Sequence, residues 1–152
     1  MIELRHIGIY VKDIEKLTKF YEITFNMTRV CNNQVDSNIL LDELLGITNV
    51  RIITTKLITQ RGKEIGSGDM LELVKILDEN PGINVSGPIY NFGIMHLALG
   101  VDDINEVCEK VKTNGGQQYT KICCHSNGNK FAFVKDPEGN WIELIQRKST
   151  HI

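Results

Sequence analysis

His6-Ile7-Gly8-Ile9-Tyr10-Val11-Lys12-Asp13-Ile14 is answered further along the chain by His96-Leu97-Ala98-Leu99-Gly100-Val101-Asp102-Asp103-Ile104. A second pair of stretches repeats in the same order, Met70-Leu71-Glu72-Leu73-Val74 and Trp141-Ile142-Glu143-Leu144-Ile145. Each half opens with a histidine on an apolar run and closes with a glutamate on another. Self-similarity at this scale marks two copies of one supersecondary unit.

Within the opening stretch Ile7, Ile9 and Val11 alternate with His6, Gly8 and Tyr10, the period of a strand with two unlike faces. Asp13 then stands as a helix N-cap ahead of Ile14, Leu17, Phe20 and Tyr21, which fall along one helical stripe. The copy repeats this with Asp103 ahead of Ile104, Val107, Cys108 and Val111, stopped by Asn114-Gly115-Gly116. Strand-like runs follow at residues 27–31, 50–58 and 70–77, and again at 118–123, 130–135 and 141–146. Asp136-Pro137-Glu138-Gly139-Asn140 supplies a turn, with proline presetting φ and glycine taking a positive one. Each half therefore reads β-α-β-β-β.

The two halves differ in length: His6 to Glu72 spans 66 positions and His96 to Glu143 spans 47. The surplus falls in 36–46, whose Ile39, Leu40, Leu44 and Leu45 suggest a short extra helix, and in a longer hairpin around 61–69. Residues 79–92, with two prolines, three asparagines and two glycines, read as a linker. The expected organisation is one domain over 1–148, made of module 1 (1–78), the linker (79–92) and module 2 (93–148), with a tail at 149–152.

A net charge of −2 and no basic cluster longer than Arg147-Lys148 argue against a nucleic-acid surface and for a small-molecule partner. The chain enters its first strand within a few residues and holds no apolar span of ~20 residues, so no leader, no membrane partner and a cytoplasmic location are expected. Cys31, Cys108, Cys123 and Cys124 lack C-x-x-C spacing and read as reduced thiols.

Strand alternation sets His6 with Gly8 and Tyr10, Glu72 with Met70 and Val74, and Glu143 with Trp141 and Ile145, all on faces turned from the helices. Any one of these alone reads as an ordinary solvated residue. Their apolar neighbours suggest burial, however, and an unpaired buried carboxylate costs several kcal/mol. A divalent cation shared by His6, Glu72, His96 and Glu143 removes that cost for both repeats. Nickel, cobalt, zinc, manganese and iron all accept such donors. Tyr10, Arg51, Phe92 and Trp141 are candidates for the substrate pocket, with Phe131 and Phe133 as further wall and Lys130 or Arg147 as further anion contacts.

The opening H-x-G-x-x-V-x-D-I, the ending F-V-x-D-P-x-G-N-x-I-E-L from Phe133 to Leu144, and the repeat together resemble the vicinal-oxygen-chelate superfamily. That superfamily includes glyoxalase I, methylmalonyl-CoA epimerase, extradiol dioxygenases and fosfomycin or bleomycin resistance proteins. The resemblance implies an α+β fold of two tandem βαβββ modules forming a curved mixed sheet around a metal-binding cavity. It implies one divalent metal ion per site on His6, Glu72, His96 and Glu143, and a homodimer whose cavity forms inside one chain or across two.

A carboxylate at Glu72 is similar to the glyoxalase I arrangement, whereas epimerases usually carry glutamine there. The implied activity is that of a metal-dependent lyase or isomerase, moving a proton next to a carbonyl through a metal-bound enediolate. Glu143 is then the base and Glu72 the partner for the returning proton. Glutathione-using glyoxalases have an arginine four residues after the first histidine and an asparagine four after the first glutamate, and this chain has Tyr10 and Ile76 there. An extradiol-type dioxygenase and a non-catalytic drug-binding protein are the alternative functions.

Overall fold

A computed structural model of the 152-residue chain describes residues 5–40, 42, 49–66, 68–77 and 96–148. The chain divides into two compact units, 1–83 and 84–152.

In the first unit β1 (His6–Tyr10) leads into α1 (Ile14–Phe25). Asp13 caps α1 by accepting the Lys16 N–H at 3.0 Å, and Asn26 ends it in the left-handed region at φ 54°. The stripe anticipated from spacing is the buried one: Ile14, Leu17, Phe20 and Tyr21 all lie in the core. β2 (Thr28–Asp36), β3 (Ile52–Ile58) and β4 (Met70–Ile76) complete a sheet of order β1-β4-β3-β2. β1 runs parallel to β4 and the other pairs are antiparallel, so the sheet is mixed. Leu57, Leu71 and Leu73 are buried on the helix side, each contributing ~1.5–3 kcal/mol by leaving water.

β2 extends well past the run expected at 27–31. Register shifts between Arg29 and Cys31 and between Cys31 and Gln34, with Asn33 at φ 47°, break the alternation that marks a strand in sequence. The hairpin expected around 61–69 is wound into a short helix, α2 (Gln60–Ile65), capped by Thr59 Oγ1 accepting the Gly62 N–H at 3.0 Å. Ile39, Leu40 and Asp42 are helical, and residues 41 and 43–48, which include Leu44 and Leu45 of the expected extra helix, lie outside the described residues. The linker at 79–92 and the tail at 149–152 also lie outside them.

The second unit repeats the plan. β5 (His96–Gly100) leads into α3 (Ile104–Thr113), where Asp103 accepts the N–H groups of Asn105 and Glu106. The Glu106 N–H, followed by that of Asn105, holds the Asp103 carboxyl below its usual pKa. Ile104, Cys108 and Val111 are buried, and burial pushes the Cys108 thiol pKa up. All four cysteines are free thiols.

β6 (Gln117–Gln118) and β7 (Cys123–Cys124) stand where one strand was expected at 118–123. The break arises because Tyr119 and Thr120 both donate their N–H to the Phe133 carbonyl, which leaves no regular ladder between them. β8 (Lys130–Lys135) and β9 (Trp141–Gln146) finish a mixed sheet of order β5-β9-β8-β6, with β7 also on β8. The β8–β9 turn has Gly139 at φ 90°, and buried Asp136 accepts the N–H groups of Glu138 and Asn140. Two βαβββ modules thus each carry their own sheet.

Candidate metal centre

The strand register decides which side chains meet. In the first unit Gly8 lies opposite Glu72 and His6 lies opposite Met70, so His6 and Glu72 share one face two positions apart on neighbouring parallel strands. His6 Nε2 lies 3.2 Å from Glu72 Oε2. The second unit copies the offset, with Ala98 opposite Glu143 and His96 opposite Trp141, and His96 Nε2 lies 3.5 Å from Glu143 Oε2. A small residue at Gly8 and Ala98 lets each carboxylate lie across the neighbouring strand. A Cβ added at Gly8 would stand 3.6 Å from Glu72 Oε2, an ordinary contact.

Among the described residues no group of three or more His, Cys, Asp or Glu side chains is gathered as a metal cluster. What the structure brings together is His6 with Glu72, and His96 with Glu143. The fit of each pair to a cation is a matter of spacing. Two donors bound ~2.1 Å from one ion at ~90–109° lie ~3.0–3.4 Å apart. The His6–Glu72 separation of 3.2 Å falls within that span, and the His96–Glu143 separation of 3.5 Å lies just beyond it. Imidazole nitrogen and carboxylate oxygen are also the donors that first-row divalent metals accept. In donor type each His–Glu pair suits a divalent cation, two donors at a time.

The surroundings of the pairs differ. In the first unit Lys56 on β3 stands directly opposite Glu72, its Nζ 3.2 Å from Oε1. Beside them a cavity of about 290 Å³ is lined by Tyr10, Gln34, Asp36, Ile52, Thr54, Lys56, Glu72 and Val74. Tyr10, one of the residues expected at a substrate pocket, is part of that lining. Arg51 is exposed and outside that lining, and Phe92 lies outside the described residues. Gln34, Asp36, Thr54 and Lys56 are additions that sequence reasoning missed. Gln34 Nε2 donates to both Asp36 oxygens at 3.1 and 3.2 Å, which joins these two polar side chains of the lining.

In the second unit the position opposite Glu143 holds Phe133, which packs edge-on against His96 with ring centroids 5.5 Å apart. Trp141 is buried, 4.6 Å from the Tyr119 ring, with Lys135 Nζ 4.1 Å from its centroid. The face around Glu143 is thus aromatic where the face around Glu72 is polar.

Two βαβββ modules, each setting one imidazole beside one carboxylate on a sheet face, define an α+β protein built by duplication. The chain belongs to the Glyoxalase/Bleomycin resistance protein/Dioxygenase superfamily, whose family model matches residues 3–144. The chain is 40% identical over 72 residues to a probable lactoylglutathione lyase of Vibrio cholerae, covering 41% of this chain and 52% of the relative. It is 45% identical over 56 residues to the lactoylglutathione lyase of Haemophilus influenzae, covering 36% and 42% respectively. The chain thus spans about half the length of these curated relatives.

A glyoxalase family protein of Bacillus cereus superposes with a TM-score of 0.87 at 14% identity, over 98% of this chain and 96% of that one. The fosfomycin resistance protein of Listeria monocytogenes, solved with Mn(II), superposes at 0.60 with 17% identity, over 97% and 95%. At such identities the likeness is one of fold. Among the described residues no helix is long and apolar enough to cross a membrane.

Proposed function

We propose that the chain is a divalent-metal-dependent lyase or isomerase of glyoxalase or epimerase type that moves a proton next to a carbonyl. His6 and Glu72 from one module and His96 and Glu143 from the other would hold one ion, the modules belonging to one chain or to two chains of a homodimer. The observation that carries this reading is the recurrence of one His–Glu pair at repeat-equivalent positions with donor separations of 3.2 and 3.5 Å. Relatives named as lactoylglutathione lyases support the same reaction class.

The bound ion would supply Lewis-acid stabilisation of the negative charge that develops on the carbonyl oxygen. The chain's own groups do the rest. Glu143 takes the proton from the carbon beside the carbonyl, and the proton returns to the neighbouring carbon in a glyoxalase-type reaction or to the same carbon in an epimerase-type one. Phe133 and Trp141 keep the Glu143 face apolar, and Tyr10, Thr54 and Gln34 place hydrogen-bonding groups in the first-unit cavity beside Glu72. Tyr10 and Ile76 stand where glutathione-using members carry arginine and asparagine, so those two glutathione contacts are not available to this chain.

Protein purified without chelator should carry one equivalent of divalent metal per site, and a panel of hemithioacetals, acyl-CoA epimers and catechols identifies the reaction. Glu143→Gln should lower turnover by about 10²–10⁴-fold with metal content unchanged. Retained turnover in that variant, or oxygen uptake with a catechol, overturns the assignment.

A further inference from the structure

We propose that Lys56 is a positioning residue that divides labour between the two repeat-related carboxylates, holding Glu72 still and leaving Glu143 as the one that moves the proton. The inference rests on the metal-dependent reading above and narrows it: Glu72 binds and does not shuttle.

The two carboxylates occupy equivalent places, yet their cross-strand partners differ. β3 sets Lys56 opposite Glu72, and β8 sets Phe133 opposite Glu143. Glu72 consequently has a separate partner on each oxygen, Lys56 Nζ at 3.2 Å on Oε1 and His6 Nε2 at 3.2 Å on Oε2. Turning that carboxylate breaks both contacts at once. With Lys56 on Oε1, Oε2 is the oxygen left to share a cation with His6. A donor on the outer oxygen of a ligating carboxylate orients it, as outer-shell partners do at metal sites generally.

Glu143 lacks this restraint. Among the described residues its one ion-pair partner is His96 at 3.5 Å, and Phe133 offers it no polar atom. The nearest lysine of that strand, Lys135, is spent on the Trp141 ring at 4.1 Å. A base must rotate an oxygen toward carbon and then away, which Glu143 can do without losing an ammonium partner. Glu72 is also the better covered of the two, with side-chain exposure of 19% against 24%.

The first test reads metal affinity, with Ni(II) as the probe, by calorimetry on Lys56→Met and Lys56→Gln. Both variants remove the same charge, and only glutamine keeps a donor for Glu72. Lys56→Gln should bind the ion at least about tenfold more tightly than Lys56→Met, the scale on which outer-shell partners act. Equal affinities overturn the proposal. The second test builds the missing restraint into the other module: Phe133→Lys should keep its metal and lose about a hundredfold or more in kcat, as a base that cannot move should. Metal-loaded Phe133→Lys with wild-type kcat overturns the proposal, and if that variant does not fold the Lys56 comparison still decides. Wild-type protein without stoichiometric metal instead sinks the reading on which the proposal rests.

Discussion

Gly8 shows how a single missing side chain can bring a histidine and a carboxylate together. Glu72 reaches His6 by crossing the strand at Gly8, where a Cβ would come no nearer than 3.6 Å to Oε2. One methyl therefore fits, and the second module already places Ala98 at this point. Two further methyls enter the space that the carboxylate needs. Gly8→Ala should match wild type in metal affinity, and Gly8→Val should weaken it by about 10–100-fold, the range for disturbing a ligand's orientation. Because Gly8 is exposed, the valine variant should still melt cooperatively near the wild-type temperature. Calorimetric titration decides the point, and a valine variant with undiminished affinity would show that Glu72 is placed by something other than the gap.

Among the elements, the connection between β3 and β4 departs furthest from its plain sequence. Gln60–Ile65 is polar and carries a glycine, yet it winds into α2 because Gly62 fits flush against the sheet. A Cβ there would stand 2.8 Å from Ile58 Cγ1 and 2.9 Å from the Gly68 carbonyl oxygen, and the latter is backbone that cannot turn aside. Gly62→Ala gains up to about 1 kcal/mol in helix propensity, but overpacking of this kind costs about 1–3 kcal/mol. The clash should win in urea denaturation, lowering the midpoint without changing the slope. An alanine variant as stable as wild type would mean that α2 can lift from the sheet. Elsewhere α1 is tied to β2 by Arg29, whose Nε and Nη2 donate to Glu22 at 2.7 and 2.9 Å; the Glu22 bond raises the guanidinium pKa further.

For the whole molecule, the duplicated plan was readable because each module states its strand, cap and helix stripe in consecutive residues, and the other module repeats them. The two histidines and two glutamates stood out for the same reason: each falls at the same place in its repeated stretch. What escaped depends on register rather than on type. Lys56 could be set opposite Glu72 only by knowing how many residues of the Thr59–Asp69 connection are spent in a helix, and Gln34 and Asp36 only by knowing that β2 continues through two register shifts. Duplication also yields the broadest expectation. If two pairs share one ion, the ion binds the folded protein only, and an excess of 100-fold over its Kd should stabilise by about 2.7 kcal/mol. For a chain of this size that is a rise in Tm of roughly 5–10 °C. His6→Ala and His96→Ala should each remove most of the rise although they lie in different units, since half a chelate holds an ion far more weakly than the whole. A scan in which one histidine variant keeps the full metal-dependent shift while the other loses it would mean that a single module's pair binds the ion alone, and the case for a shared centre would fail.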